Sequence, residues 1–299
     1  MQTTYRAESD LVTAVGNKRV QIPAGIRLHY REAGRGEPLV LLPGWSQTAA
    51  MFDEQIRRLA DRHHVIALDH RGHGESEKVD HGYHLARLAM DLREFLLALD
   101  LSQVTLLGHS MGAAVIFSYI ELFGTDRLDA VILADQPAAL ALSETASPQE
   151  LEEAGAIFSF SHLSAICESL RGSDAVETTR KIIFDMLSPR LSELQGDWLL
   201  QQNLLLPRLH AAALLWNCAL MDWRSTVGQI NVPALVIGGR ASLVPWESQR
   251  WIARQIPIAE CHVIEELEGG YHFAFLEQPE IFGALVADFL CQKQPRPER

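Results

Sequence analysis

The chain has 299 residues, of which 47% are apolar and 21% charged, as in an ordinary globular protein with a sizeable core. Its 26 lysines and arginines against 38 aspartates and glutamates give a net charge of −12. An acidic surface argues against nucleic acid or an anionic membrane as the partner. No run approaches the roughly 20 apolar residues of a membrane helix, and the first ten residues lack a signal peptide's apolar core. We therefore expect a cytoplasmic protein with neither partner.

The four cysteines lie far apart in the sequence, with neither a pairing pattern nor the spacing of metal ligands. In a chain with no recognisable leader, this indicates reduced, mostly buried thiols. The histidines also lack metal-binding spacing, so we expect neither a metal nor a cofactor. The sequence leaves the oligomeric state open. The cysteines are Cys167, Cys218, Cys261 and Cys291.

The first predicted elements are two strands, at residues 18–22 and 26–31. After them, short apolar strands alternate with helices whose apolar residues share one face, as Phe52, Ile56 and Leu59 do. This alternation predicts an α/β fold, with a mostly parallel central sheet covered by helices on both faces. The strands are predicted at 39–42, 65–68, 104–107 and 128–134, and the helices at 51–60, 85–99 and 113–122.

The most informative motif is Gly108-x-Ser110-x-Gly112, which joins the strand at 104–107 to the helix at 113–122. A serine is a weak nucleophile, and it becomes useful when a sharp strand-to-helix turn presents its Oγ beside a backbone N–H. Glycines two residues before and after it leave room for such a strained turn. We therefore predict that Ser110 is a nucleophile at the carboxyl end of the sheet, where ligands bind.

After residue 135 the alternation stops, and residues 137–219 have a helical pattern rich in leucine, alanine and serine. We interpret this stretch as a helical cap inserted into the core; the alternative is that its helices complete the core. Later elements are a strand at 233–239, a helix at 248–255, a strand at 262–264 and a helix at 281–291. The predicted domains are a first core part at 1–136, the cap at 137–219 and a second core part at 220–299.

Four segments together resemble the α/β-hydrolase family, from about residue 23 to residue 290. In order, they are a strand ending in a Pro-Gly turn, an Arg-Gly-His-Gly loop, the serine motif and, after the insertion, a late histidine. The resemblance implies the α/β-hydrolase fold with an inserted cap, and the chemistry of a serine hydrolase. The segments are Pro43-Gly44-Trp45, Arg71-Gly72-His73-Gly74, Gly108-x-Ser110-x-Gly112, and Gly269-Gly270-x-His272 followed by Glu277 and Pro279.

The resemblance also assigns roles to individual residues. Ser110 would be the nucleophile and His272 the general base and acid. The oxyanion hole would consist of the backbone N–H groups of Trp45 and of Met111, the residue after the serine. The Trp45 side chain would either form an apolar wall of the pocket or pack in the core.

The acid is where this sequence departs from the family's common pattern. Most relatives place an aspartate three residues after the glycine that ends a late strand, but here Ala241 has that place. Because alanine cannot orient an imidazole, we predict that another carboxylate serves. Our choice is Asp135, at the end of the strand after the serine's, although it has an alternative role as a helix cap. Glu247, on the first turn of a predicted helix, is the rival, and an engineered change at position 241 is a third alternative.

A serine, a histidine and an acid beside an oxyanion hole imply acyl transfer to water, and thus hydrolysis of an ester, thioester or lactone. The leucine-rich cap predicts an apolar pocket, lined in part by Trp45 and Trp216. We therefore expect a small apolar ester or lactone, aromatic or of medium chain length, as the substrate. The cap leucines in question are Leu200, Leu204, Leu205, Leu206, Leu214 and Leu215.

Other functions of the same fold stay open. The Pro43-Gly44-Trp45 loop and Asp135 also resemble the branch that cleaves hydroxyquinolone rings with molecular oxygen and no cofactor. That branch carries further histidines in the loop after Pro-Gly-Trp and around the serine. This chain has Ser46-Gln47-Thr48-Ala49-Ala50 in the loop and Met111 after the serine, and the difference favours hydrolysis. A cofactor-free haloperoxidase or perhydrolase and a non-enzymatic binding protein are the remaining alternatives. A dehalogenase or epoxide hydrolase would need a carboxylate nucleophile at position 110.

Overall fold

One large sheet forms the centre of the molecule, whose computed structural model describes residues 14–293. The strands are β1 Gly16–Gln21, β2 Arg27–Ala33, β3 Glu37–Leu42, β4 His63–Leu68, β5 Val104–His109, β6 Leu128–Ala134, β7 Ala141–Leu142, β8 Phe158–Ser159, β9 Ala234–Gly239 and β10 Ala259–Ile264. The large sheet has the order β1-β2-β4-β3-β5-β6-β9-β10, and β7 pairs separately with β8. From β4 to β10 all neighbouring strands are parallel, whereas β2 runs antiparallel to both β1 and β4.

Helices cover both faces of the sheet, as the alternating sequence pattern predicted. The α-helices are α1 Asp53–Leu59, α2 Leu85–Ala98, α3 Met111–Phe123, α4 Pro148–Ala154, α5 Phe160–Arg171, α6 Ala175–Phe184, α7 Glu193–Leu204, α8 Arg208–Leu220, α9 Trp246–Gln255, α10 Ala274–Glu277 and α11 Pro279–Gln292. Short 3-10 helices span Ala49–Phe52, Val227–Gln229 and Glu266–Glu268. The expected α/β fold class is therefore confirmed.

Both faces of the central strands are buried, because apolar side chains occupy consecutive positions along them. All six residues of β5 are buried. Since successive side chains of a strand point to opposite faces, Leu106 packs in one core with Phe95 of α2, and Leu107 packs in the other with Phe282 of α11. Burying a leucine side chain stabilises the fold by about 1.5–3 kcal/mol, so these short apolar runs define the sheet.

The predicted cap corresponds to five helices, α4 to α8, which follow β6 and precede β9. Within it α5 packs against α8, and α6 packs against α7. The sequence pattern predicted only helices here, whereas the structure adds the short parallel pair β7 and β8. Two-residue strands are too short to produce the alternation that identifies a strand in a sequence. The exact domain boundaries stay a prediction.

The parallel strands end at one edge of the sheet, and this edge carries the candidate residues. Ser110 follows β5 directly, Asp135 follows β6, and the loop that contains Ala241 follows β9. Ligands of parallel α/β sheets bind at such an edge. Of the described residues, no helix is long and apolar enough to cross a membrane. The first ten residues, on which the expectation of no leader rests, lie outside the described residues.

Candidate active site

Ser110 lies on a strained turn between β5 and α3. Its φ of 52° and ψ of −127° place a non-glycine residue in a region that L-residues rarely adopt. The turn is held by its own backbone N–H, which donates to Ala134 O at 2.8 Å. Gly112 allows α3 to approach β3, since a Cβ there would lie 2.1 Å from Leu42 O. The serine therefore stands at the positive end of the α3 dipole, where negative charge is stabilised.

The structure brings His272 and Asp135 together. His272 Nδ1 lies 2.7 Å from Asp135 Oδ2, and both side chains are buried. Asp135 itself has a positive φ of 53° directly after β6. A carboxylate can only accept, so Nδ1 carries the hydrogen and Nε2 of a neutral His272 is left as an acceptor. Three residues that are far apart in sequence, Ser110, Asp135 and His272, thus lie at one edge of the sheet.

Two further groups hold the Asp135 carboxylate. The backbone N–H of Gly239 donates to Oδ1 at 3.2 Å, and Ser242 Oγ donates to Oδ2 at 2.5 Å. Both come from the loop after β9, in which Ala241 N also donates to Gly270 O at 2.9 Å. In most relatives this loop carries the acid. In this chain it instead supplies hydrogen-bond donors to Asp135, which follows β6. Sequence reasoning missed Ser242, and its position beside Ala241 was the available signal.

Glu247, the rival candidate, lies in the first turn of α9. Within residues 14–293 it has no hydrogen bond to His272, whose Nδ1 is engaged by Asp135. A glutamate at this position is favoured by the helix dipole alone. The structure therefore separates the two carboxylates, and only Asp135 is placed to orient the histidine.

His109 and Gln47 form a second polar layer beneath the serine. His109 Nδ1 lies 3.0 Å from Gln47 Oε1, and His109 Nε2 lies 2.8 Å from His272 O. Burial, with the neighbouring His272, holds the pKa of His109 well below its ordinary value. The ring is therefore neutral and has a single N–H, which it can donate to only one of the two oxygens.

The two predicted oxyanion donors are the backbone N–H groups of Trp45 and Met111. Met111 is the first residue of α3, so its N–H has no partner within the helix. Across the described part of the chain, neither N–H has a protein acceptor. The Trp45 side chain is buried, and its indole Nε1 donates to Ala211 O of α8 at 2.8 Å. Trp45 therefore also joins the loop after β3 to the cap.

Ser110 and His272 line a cavity of about 590 Å³, counted with its open mouth. Trp45 lines it, as predicted, but Trp216 does not: that side chain is 38% exposed. One residue along α8 turns the side chain by about 100°, so Leu215 faces the cavity and Trp216 faces outward. The other cap leucines of the prediction are likewise outside the lining. The apolar side chains that form it include Leu140, Phe158, Ile182, Met186, Leu215 and Leu243.

The remaining histidines near the serine are structural. Burial lowers the pKa of His70 to about 4 and that of His73 to about 3, so both stay neutral. Their rings pack edge to face, with centroids 5.7 Å apart. Among residues 14–293 no group of three or more histidine, cysteine, aspartate or glutamate side chains is arranged to hold a metal ion.

Comparisons with known proteins agree with this fold. A sequence profile for the alpha/beta hydrolase fold matches residues 37–159. The non-heme chloroperoxidase CPO-A1 of Kitasatospora aureofaciens is 37% identical over 110 residues, which are 36% of this chain and 40% of that protein. A bromoperoxidase from Bacillus anthracis superposes with a TM-score of 0.84 and 25% identity, over 93% of this chain and 100% of that one. The esterase EaEST from Exiguobacterium antarcticum superposes with a TM-score of 0.83 and 22% identity, over 93% of this chain and 100% of that one.

The sheet order and these likenesses define the fold of the protein. The chain has the α/β-hydrolase fold, and residues 37–159 match the sequence profile of that fold. Its match to the chloroperoxidase spans less than half of that protein's length, and the likeness to the esterase concerns the fold.

Proposed function

We propose that the protein is a serine hydrolase that cleaves a carboxylic ester or lactone of an apolar substrate, aromatic or of medium chain length. The observation that carries the proposal is the 2.7 Å contact between His272 Nδ1 and Asp135 Oδ2 beside the strained Ser110 turn. A strained nucleophile, a base oriented by a carboxylate and a pair of unpartnered backbone N–H groups are the parts that acyl transfer needs.

In the proposed reaction, His272 Nε2 accepts the hydroxyl proton as Ser110 Oγ attacks the substrate's carbonyl carbon. The backbone N–H groups of Trp45 and Met111 stabilise the negative oxygen of the tetrahedral intermediate. The alcohol leaves with the proton from His272, and an acyl-enzyme remains. Water, deprotonated by His272, then attacks this ester and releases the carboxylic acid. Asp135 keeps the imidazole in the tautomer that these proton transfers require.

The cavity supports an apolar and uncharged substrate. Its wall consists mainly of aliphatic and aromatic side chains, and its titratable groups are His272 and Cys218, whose thiol pKa is raised by burial to about 12. A charged acyl group would have to lose its hydration there without gaining a counter-charge, which is costly. An apolar acyl chain gains about 25 cal/mol for each Å² that leaves water.

A perhydrolase or haloperoxidase activity is the second candidate, because the relatives include a chloroperoxidase and a bromoperoxidase by name. It would use the same acyl-enzyme. Hydrogen peroxide would replace water as the attacking group, and the product would be a peracid, which oxidises halide outside the site. This candidate changes the acceptor of the acyl group and leaves the roles of Ser110, His272 and Asp135 unchanged.

The test is an assay of purified protein without oxygen, on p-nitrophenyl butyrate and octanoate and on a panel of lactones. We expect turnover of at least one ester or lactone, loss of turnover in Ser110→Ala by several orders of magnitude, and labelling of Ser110 by a fluorophosphonate. An alanine variant that kept a tenth of the activity would contradict a covalent role for Ser110. A parallel assay with a hydroxyquinolone and oxygen tests the oxygenase alternative, and one with peroxide tests the perhydrolase.

A further inference from the structure

The Gln47 side chain shares the wall of the cavity with Ser110 and His272. The residue is 2% exposed, so its amide is enclosed by protein and cavity. It stands in the loop after β3, two residues beyond Trp45, whose N–H is a proposed oxyanion donor. The amide is therefore close to the point where the scissile carbonyl would bind.

Gly44 fixes the direction of this amide. The backbone N–H of Gly44 lies 3.0 Å from Gln47 Oε1, and because an N–H can only donate, the atom that faces it is the oxygen. The amide lies flat against Gly44, where a Cβ would stand 2.6 Å from Gln47 Nε2. The side chain is thus held against the backbone of Gly44, whose lack of a Cβ leaves room for the amide.

With Oε1 engaged by Gly44, the Nε2 group is left with two N–H donors. Across residues 14–293 it has no protein acceptor. Among the described residues, Nε2 is not one of the fully enclosed polar atoms that lack a partner, so it is open to the cavity, where water or a substrate oxygen can accept its hydrogens. Serine and histidine are already assigned to the chemistry, and the rest of the wall is mainly apolar.

We propose that Gln47 Nε2 binds a second, neutral oxygen of the substrate, an ether or carbonyl oxygen in its acyl part. The inference rests on the proposed function and narrows its substrate class to oxygen-substituted acyl groups. A neutral acceptor fits because the wall offers no cation to a carboxylate. Gln47 is then a specificity-determining residue: it distinguishes an acyl chain that carries an oxygen from an all-carbon chain of the same length.

The test compares p-nitrophenyl hexanoate with its oxa-analogues, in which an ether oxygen replaces each methylene beyond the α-carbon in turn. Their kcat/KM values are measured on the wild type, Gln47→Met and Gln47→Glu. Methionine keeps the size of the side chain and removes the donor. Glutamate keeps an oxygen for Gly44 and replaces the donor by an acceptor. In both variants, we expect kcat/KM for at least one oxa-ester to fall by about fivefold to tenfold more than kcat/KM for the hexanoate, which is the effect of one hydrogen bond.

Gln202→Met is the matched control. Gln202 Oε1 accepts a hydrogen bond from Thr48 Oγ1 of the same loop at 2.7 Å, but Gln202 does not line the cavity. For this variant, the ratio of kcat/KM for each oxa-ester to kcat/KM for hexanoate should equal that of the wild type. Thermal unfolding followed by differential scanning fluorimetry shows whether the Gln47 variants are folded. If the wild type cleaves neither an ester nor a lactone, the proposed function fails. If it cleaves them and the ratios are the same in the Gln47 variants, only this inference is overturned.

Discussion

The indole N–H of Trp45 donates to the carbonyl oxygen of Ala211 at 2.8 Å, across the boundary between the loop after β3 and the cap helix α8. The backbone N–H of the same tryptophan is a proposed oxyanion donor. Trp45 therefore contacts the cap through its side chain and belongs to the proposed oxyanion hole through its backbone, while Ser46 Oγ adds a second bond to the cap, to Asn203 O at 2.7 Å.

Replacing Trp45 by phenylalanine should weaken this connection. The ring stays, but Ala211 loses its donor, which costs about 1–2 kcal/mol. We expect Tm to fall by a few degrees and kcat/KM to fall by about tenfold, measured by differential scanning fluorimetry and ester hydrolysis. Trp216→Phe is the control: it lies on the exposed face of α8, the helix that contains Ala211, and should change neither quantity. If Tm and kcat/KM of Trp45→Phe equalled those of the wild type, the contact of Trp45 with the cap would have no role in the proposed oxyanion hole.

Asp135→Asn should lower kcat by about 10⁴-fold with little change in KM, because the asparagine amide no longer selects the catalytic tautomer of His272. Glu247→Gln should stay within about twofold of the wild type, since a surface charge near a helix start contributes little. Steady-state kinetics on one ester measures both. The assignment of the acid would be wrong if the two effects were exchanged, or if Ala241→Asp raised activity while Asp135→Asn had no effect.

Ser242→Ala should lower kcat by about threefold to tenfold and leave KM nearly constant. The variant removes the hydroxyl that donates to Asp135 Oδ2, so the carboxylate is held by fewer bonds while the cavity keeps its shape. Ser242→Thr keeps a hydroxyl and should restore most of the rate. Equal kcat values for alanine and serine at this position would show that the backbone N–H of Gly239 suffices.

Stability should fall as the pH decreases from about 6.5 to 5. Burial lowers the pKa of His70 to about 4 and that of His73 to about 3, and it holds the pKa of His109 well below its ordinary value. Unfolded histidines bind protons near pH 6.5, so between pH 6.5 and 5 the unfolded state binds more protons than the folded state. The free energy of unfolding therefore decreases as the pH is lowered. Each histidine contributes about 1.4 kcal/mol per pH unit once the pH is well below 6.5. Urea unfolding at several pH values measures the slope.

The carboxyl pKa values of Glu32 and Asp69 are also lowered in the folded protein, from ordinary values of 4.5 and 3.8. These groups therefore change stability mainly below pH 5, and the histidines dominate between pH 6.5 and 5. A urea midpoint that stayed constant between pH 6.5 and 5 would contradict the neutral burial of His70 and His73.

The sheet could be predicted from the sequence because consecutive apolar residues in short runs, such as β5, define strands buried on both faces. The position of Asp135 followed from a rule about strand ends. The hydrogen bonds of Ser242 and Gln47 could not be predicted, since they depend on how loops after different strands meet in space. Trp216 was assigned to the pocket wrongly, because a helix rich in apolar residues does not reveal which of its faces meets the cavity.

The contact between Asp135 and His272 has a consequence for how this chain can vary. The proposed nucleophile and the proposed acid both precede the cap in the sequence, and they follow the adjacent strands β5 and β6. The loop after β9 is thereby freed from carrying a catalytic carboxylate, and it places Leu243 and Val244 in the cavity wall instead. Substrate preference can therefore be altered through that loop and the cap, by insertion or exchange of whole segments, while the proposed proton-transfer residues stay in place.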